Sequence, residues 1–232
     1  MIRLDKVSKR FIASKALQPC SITMETGRII GLIGENGSGK TTMLKLLAGL
    51  LRPTKGQIQV DGQLVNRRIS GKLAYLTDQD YFYPYFTIDD LLHYYQQQFD
   101  DFDRQKALGI ARFMKLDLKR KIKHLSKGNR GRVKIMVTLA RNAPYIVLDE
   151  PFSGLDPMVR KAIVTGMIKF IDLTKQTLII STHELKEVEP ILDEVVLLQH
   201  GKIVAQKRVE DIREEFGTDV VVWMERMYEP IY

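Results

Sequence analysis

The sequence predicts an α/β fold with parallel strands and an inserted helical block, and three observations predict it. Gly34-Glu35-Asn36-Gly37-Ser38-Gly39-Lys40-Thr41-Thr42 matches G-x-x-x-x-G-K-[ST], a phosphate-binding loop, between an apolar run at 28–33 and a helical pattern at 42–51. About 110 residues later, Tyr145-Ile146-Val147-Leu148 forms a second apolar run ending in Asp149-Glu150. Between them, residues 87–142 read mainly as helix, whereas both flanks alternate strand and helix patterns.

A chain of 232 residues is one large domain or two small lobes. Its 44% hydrophobic and 28% charged content is that of a soluble globular protein. No apolar run approaches the roughly 18 to 20 residues of a membrane span, and Met1–Lys6 has no signal-peptide core. One cysteine, Cys20, excludes an internal disulfide, fits a reducing cytosol and is expected to be a packing residue. No His/Cys spacing suits a metal cluster. A net charge of +8 suggests either an anionic partner or a solvated basic face, and charge alone does not choose.

In chain order, Ile2–Val7 and Leu17–Met24 alternate as strands. Phe11 is either an adenine-stacking platform or a core ring. Gly34, Gly37 and Gly39 let the backbone curl its N–H groups toward phosphate oxygens, and the helix that follows adds positive potential. Lys40 supplies a full charge to the β- and γ-phosphates, and the Thr41 hydroxyl can ligate Mg²⁺. Gln57–Val60 and Gln63–Val65 flank Asp61-Gly62 as a hairpin, and Lys72–Leu76 is a short strand. Tyr81-Phe82-Tyr83-Pro84-Tyr85-Phe86 is too aromatic and too bent for a regular element, so its rings are core, a docking surface, or both. Thr87 caps a helix with Ile88, Leu91, Leu92, Tyr95 and Phe99 on one face, and Asp103 caps another. Lys115–Lys134 is strongly basic and is expected on exposed helix and loop.

A parallel strand ending in Asp149 and Glu150 delivers both to the phosphate loop. Asp149 can reach the Mg²⁺ sphere, and Glu150 can hold a water for in-line attack. Thr177–Thr182 is another buried strand and ends at His183, whose imidazole can reach the γ-phosphate or orient the base. Glu194–Gln199 and Lys202–Lys207 read as a hairpin. They are followed by a helix over 209–216 and a final strand over Val220–Met224.

Two more motifs complete the pattern: Leu125-Ser126-Lys127-Gly128-Asn129 before the acidic strand, and Ser153-Gly154-Leu155-Asp156-Pro157 after it. With the phosphate loop and His183, their order resembles the ATPase subunit of an ABC transporter over essentially the whole chain. The resemblance implies a P-loop NTPase of RecA-like core, with an N-terminal antiparallel β subdomain and an inserted α-helical subdomain. It implies one domain over 1–232: residues 1–86 and 143–232 form the core with its β subdomain, and 87–142 the helical part. The implied cofactors are ATP and Mg²⁺. The implied nucleotide-binding residues are Phe11, Gly34, Asn36, Gly37, Ser38, Gly39, Lys40, Thr41 and Thr42. Ser126, Gly128 and Asp156 would act on a nucleotide held by a second ATPase subunit, identical or different, in a head-to-tail dimer.

Two departures stand out. Lys127 and Asn129 replace the usual Gly and Gln, and where the resemblance implies a metal-sensing Gln after Tyr75-Leu76-Thr77 this chain has Asp78, with Gln79 next, so either of the two could serve that loop. The Leu-Ser-Lys-Gly variant resembles short exporter ATPases associated with GntR-type regulators and with antimicrobial or amphipathic peptide export. The expected partner is a membrane-spanning subunit at the cytoplasmic face of the membrane, received near residues 78–99, with no nucleic acid. The alternative is a non-transport ATPase of the same type acting on ribosome or DNA, which the pI near 9.4 favours. A kinase or GTPase has no use for Leu125–Asn129, and an Asn-Lys-x-Asp guanine motif is missing.

Overall fold

The computed structural model describes residues 1–12, 14–77, 79 and 81–228, with the Tyr228 side chain excluded. In order the elements are β1 (Ile2–Phe11), β2 (Ser14–Met24), β3 (Ile29–Ile33), α1 (Lys40–Leu47), β4 (Lys55–Val60), β5 (Gln63–Leu64) and β6 (Leu73–Leu76). Next come α2 (Ile88–Gln98), α3 (Arg104–Phe113), α4 (Lys127–Leu139), β7 (Tyr145–Asp149), α5 (Pro157–Phe170), β8 (Thr177–Thr182) and α6 (Leu185–Val188). The chain finishes with β9 (Glu194–Gln199), β10 (Lys202–Arg208), α7 (Val209–Phe216) and α8 (Val220–Tyr228).

Two sheets organise these elements. An antiparallel sheet runs β2-β1-β4-β5, and a second runs β10-β9-β3-β8-β7-β6. In the second, β9, β3, β8, β7 and β6 are parallel, and β10 adds an antiparallel edge. The parallel strands β3, β7 and β8 are buried along their whole length, which is why they read as unbroken apolar runs.

Alternation along those strands sorts their side chains into two cores. Ile30, Leu32, Val147, Ile179 and Val196 face α1 and the antiparallel sheet. Ile29, Ile33, Ile146, Leu148, Leu178 and Ile180 face the opposite way, onto a core shared with the inserted helices. The phosphate-loop helix α1 therefore sits within the core that the two sheets share.

Strand register fixes the site. Ile33 pairs with Thr182 and Asp149 with Ser181, so β3, β8 and β7 end side by side. The loop after β3, the carboxylates ending β7 and the histidine after β8 consequently meet at the carboxyl ends of the parallel strands.

The Asp61-Gly62 hairpin turn has both residues at positive φ, 49° and 74°, as a primed two-residue turn requires. Thr87 and Asp90 form a reciprocal capping box at α2, and Asp103 caps α3.

Two element expectations need correction. The helix after the phosphate loop starts at Lys40 and ends at Leu47, because the chain turns at Gly49 with φ +67°. The segment Val220–Met224 is not a strand but the start of α8. Its β-branched run suggests extension, yet Asp219 accepts a hydrogen bond from the Val222 amide at 2.8 Å and nucleates a helix. Val220 and Trp223, one helical turn apart, are both buried in the core.

Candidate active site

The phosphate loop is shaped by glycine where nothing else fits. Gly34 has φ +148°, and a Cβ there would lie 2.2 Å from the Leu198 carbonyl oxygen. Gly39 has φ +108°, with the Ala16 carbonyl 2.6 Å from a built Cβ. Glu35, Asn36 and Gly37 form the exposed rim, and Ser38 turns inward. The Ser38 hydroxyl is buried with no hydrogen-bond partner among the described residues. Lys40 is buried, and its ammonium donates to the Gly34 carbonyl at 2.7 Å and the Glu35 carbonyl at 3.1 Å. The lysine charge is thus held inside the curl of its own loop. Thr41 and Thr42 follow in the first turn of α1, half-buried.

Asp149 is fully buried at the end of β7. Three hydroxyls donate to it. Thr41 and Ser181 each reach Oδ1 at 2.9 Å, and Tyr75 reaches Oδ2 at 2.9 Å. A buried carboxylate is tolerable only when hydrogen-bonded in this way.

Glu150 differs from its neighbour in every respect. It adopts φ +47°, a left-handed conformation costing about 1–3 kcal/mol for a non-glycine residue. Its amide donates to both the Ser181 carbonyl and the Ser181 hydroxyl at 3.1 Å, which hold that conformation. The turn swings its carboxylate toward His183, whose Nδ1 lies 2.7 Å away and whose amide donates at 3.3 Å. Lys40 Nζ stands 3.4 Å from the other Glu150 oxygen. Lys40, Glu150 and His183 therefore form one polar chain, with Glu150 between the other two. The His183 ring is part-exposed, and its Nε2 lies 3.8 Å from a Glu184 carboxylate oxygen.

The expected residues separate into two groups. Lys40, Thr41, Asp149, Glu150 and His183 converge. Ser126, Gly128 and Asp156 cluster with one another instead. Ser126 caps α4, accepting from the Asn129 amide at 3.3 Å, and Asp156 caps α5, accepting from the Val159 amide at 3.0 Å. A Cβ on Gly128 would lie 3.8 Å from Asp156 Oδ2. Among the described residues, none of these three hydrogen-bonds to residues 34–42. Lys127 folds back over Gly154, in the loop after Glu150, close enough that a Cβ on Gly154 would strike it.

Phe11 is 43% exposed at the end of β1, with the Lys9 ammonium 5.2 Å from its ring centroid. It is not a core ring. The aromatic segment divides: Phe82 and Phe86 pack on the core, while Tyr81, Tyr83 and Tyr85 are exposed. Tyr81, Tyr83, Tyr94 and Tyr95 line a cleft of about 210 Å³ between this segment and α2. The basic run also divides. Its lysines and arginine from Lys115 to Lys127 are exposed, but Arg130, Arg132 and Lys134 on α4 are half-buried. Cys20 is buried as expected, and burial pushes its thiol up to about 11. Asp78 lies outside the described residues.

Tyr75 and Ser181 were not among the expected site residues. Strand parity contains the signal: Ser181 pairs with Asp149, and Tyr75 pairs with Val147, two residues back on the same face.

Among the described residues no group of three or more His, Cys, Asp or Glu side chains is placed to hold a metal. Mg²⁺ does not need one, since it is held by one or two carboxylates plus phosphate oxygens and water. Thr41 and Asp149 are the hard oxygen donors that suit it, and the partnerless Ser38 hydroxyl suits a phosphate oxygen. The residues present fit a magnesium nucleotide.

A phosphate loop, a buried strand-end aspartate and a glutamate–histidine pair on this two-sheet frame define a nucleotide triphosphatase. The ABC transporter family profile matches residues 17–153, and the chain belongs to that family. It is 32% identical over 222 residues to the uncharacterized ABC transporter ATP-binding protein YhaQ of Bacillus subtilis, spanning 94% of this chain and 74% of that one. A solved ATP-binding subunit of an ABC transporter superposes with TM-score 0.85 at 24% identity, over 99% of this chain and 100% of that one. The ATP-binding cassette MJ0796, solved as a dimer in a post-hydrolysis state with ADP and Pi, superposes with TM-score 0.79 at 23% identity, over 90% and 98%. The fold is the RecA-like ATPase core with its β subdomain and helical insert. The chain is an ATP-binding, ATP-hydrolysing subunit that works with Mg²⁺. No helix among the described residues is long and apolar enough to cross a membrane.

Proposed function

We propose that this ATPase drives a membrane exporter by closing head-to-tail on a second ATPase subunit, identical or different, with ATP between them. The observation that carries the reading is the division of the site. Lys40, Thr41, Asp149, Glu150 and His183 converge, while Ser126, Gly128 and Asp156 sit together elsewhere and bond only to their own helix ends.

Each residue then has a role. Phe11 stacks the adenine. The amides of Gly34–Thr42 and the Lys40 ammonium bind phosphate oxygens, and Thr41 with Asp149 holds Mg²⁺. Bound ATP supplies the phosphoryl group and, with Mg²⁺, the anionic bridge between subunits. Glu150 orients water and takes its proton, and His183, fixed by its Nδ1 contact with Glu150, presents Nε2 to the γ-phosphate. The Ser126 hydroxyl and the α4 N-terminus, with Gly128, serve the partner's γ-phosphate, and Asp156 serves the partner's phosphate loop. Asp78 would complete the metal shell.

The helical arm, residues 87–142, would carry motion to a membrane-spanning subunit received by the exposed tyrosines at 81–85. On this reading the chain works at the cytoplasmic face of the membrane. The outward direction of transport rests on the resemblance of Leu125–Asn129 to short exporter ATPases associated with GntR-type regulators and peptide export.

Mild detergent extraction and affinity capture test this reading. A membrane protein should co-purify, and its reconstitution should stimulate ATP hydrolysis by this chain. Nucleic-acid binding with a steep salt dependence, without a membrane protein, would replace it with the ribosome- or DNA-acting alternative.

A further inference from the structure

We propose that Tyr75 and Ser181 are positioning residues that preset the metal affinity of Asp149. This rests on the reading of Asp149 as the carboxylate facing Mg²⁺. Asp149 and Ser181 are fully buried, and burial of a charge is costly unless donors surround it. Each hydroxyl owns one proton, and all three nearby hydroxyls spend theirs on this carboxylate. Thr41, having donated to Oδ1, keeps its lone pairs for a cation. Tyr75 and Ser181 fix the carboxylate from either side, from β6 and β8.

The two do different work. Ser181 links the two acidic residues, donating to the Asp149 carboxylate while accepting from the backbone amide of the left-handed Glu150. Tyr75 donates to the Asp149 carboxylate and stands two residues before Thr77, where β6 runs toward the exposed tyrosines. Groups that orient a metal-facing ligand typically contribute about 10–100-fold in metal affinity. Tyr75→Phe keeps the ring and removes only the donor, so the effect should appear in the metal and not in the nucleotide.

The test measures binding, apart from turnover. Mn²⁺ association in the presence of ATP is followed by electron paramagnetic resonance, and ATP affinity is measured separately in EDTA. For Tyr75→Phe the Mn²⁺ dissociation constant should rise about tenfold, with ATP affinity in EDTA unchanged. Ser181→Ala should give a similar metal shift together with a larger loss of kcat, since it also releases Glu150. Emission from the single tryptophan, the buried Trp223, reports folding of each variant, and either folded variant decides the matter. A lowered melting temperature with unchanged Mn²⁺ affinity in a folded variant overturns the proposal. Asp149→Asn separates the two levels: if it too leaves Mn²⁺ affinity unchanged, the metal reading of Asp149 itself fails.

Discussion

The phosphate-loop side and the Ser126 side of this chain carry equally polar groups in opposite states. On the first, Lys40 and Asp149 are buried, and partners from β6, β8, α1 and the loop converge on them. On the second, Ser126 and Asp156 are exposed and bond only to amides three residues on. On the proposed reading, the chain finishes one half of a catalytic site and displays the complementary half on its surface. A helix N-terminus with a glycine and a hydroxyl is suited to phosphate, and on that reading the phosphate it suits is a partner's.

The largest expected effect removes the finished half. Lys40→Ala should abolish ATP binding, because one desolvated charge facing several phosphates has no substitute nearby. Equilibrium binding of a fluorescent ATP analogue checks it, and near-parental affinity contradicts it. The displayed half should behave differently. Gly128→Asp puts a carboxylate where the partner's phosphate is expected, and should cut turnover by about 100-fold or more while leaving nucleotide affinity of the monomer intact. Equal losses of binding and turnover would erase the distinction between the halves.

Much of this arrangement is legible in the sequence, because strand parity and motif spacing are one-dimensional signals. The phosphate loop, the end of β7 and His183 fall where a parallel sheet must bring them. What the sequence conceals depends on three-dimensional competition. Val220–Met224 looks like a strand by side-chain type, but the cap at Asp219 and the burial of Val220 and Trp223 one turn apart decide for helix. Tyr75 looks like an ordinary strand residue until register puts its hydroxyl on Asp149. Lys127 looks free to meet a phosphate until the glycine at 154 gives it a place to lie.

A third change probes the frame that supports both halves. Trp223→Ala should destabilise the fold by about 3–5 kcal/mol, as for other large-to-small core changes. ATP affinity per folded molecule should stay constant. Urea unfolding with parallel binding measurements checks this, and a loss of affinity in the folded fraction would mean that α8 shapes the site.

The smallest effect is a pH dependence far from the chemistry. Burial pushes the Asp61 carboxyl upward, but hydrogen bonds from the Met1 ammonium and the Tyr145 hydroxyl outweigh it and hold the group below the usual carboxylate range. A depressed folded value contributes stability above the unfolded value of about 4, lost as pH falls through the folded value. The pair is part-exposed, so the contribution should stay below about 1 kcal/mol. Asp61→Asn should flatten the urea midpoint between pH 5 and pH 3 by about that amount. An unchanged acid slope would show that the N-terminal contact does not contribute.

Size measurement of Glu150→Gln tests the two-halves account most directly. The substitution removes the base while keeping the loop, Asp149 and the Ser126 surface intact, so ATP should bind and stay. The account predicts a monomer without nucleotide and a stable dimer with Mg-ATP, together with negligible hydrolysis. A monomer with and without Mg-ATP, both alone and with the co-purifying ATPase subunit added, or undiminished hydrolysis, would contradict it.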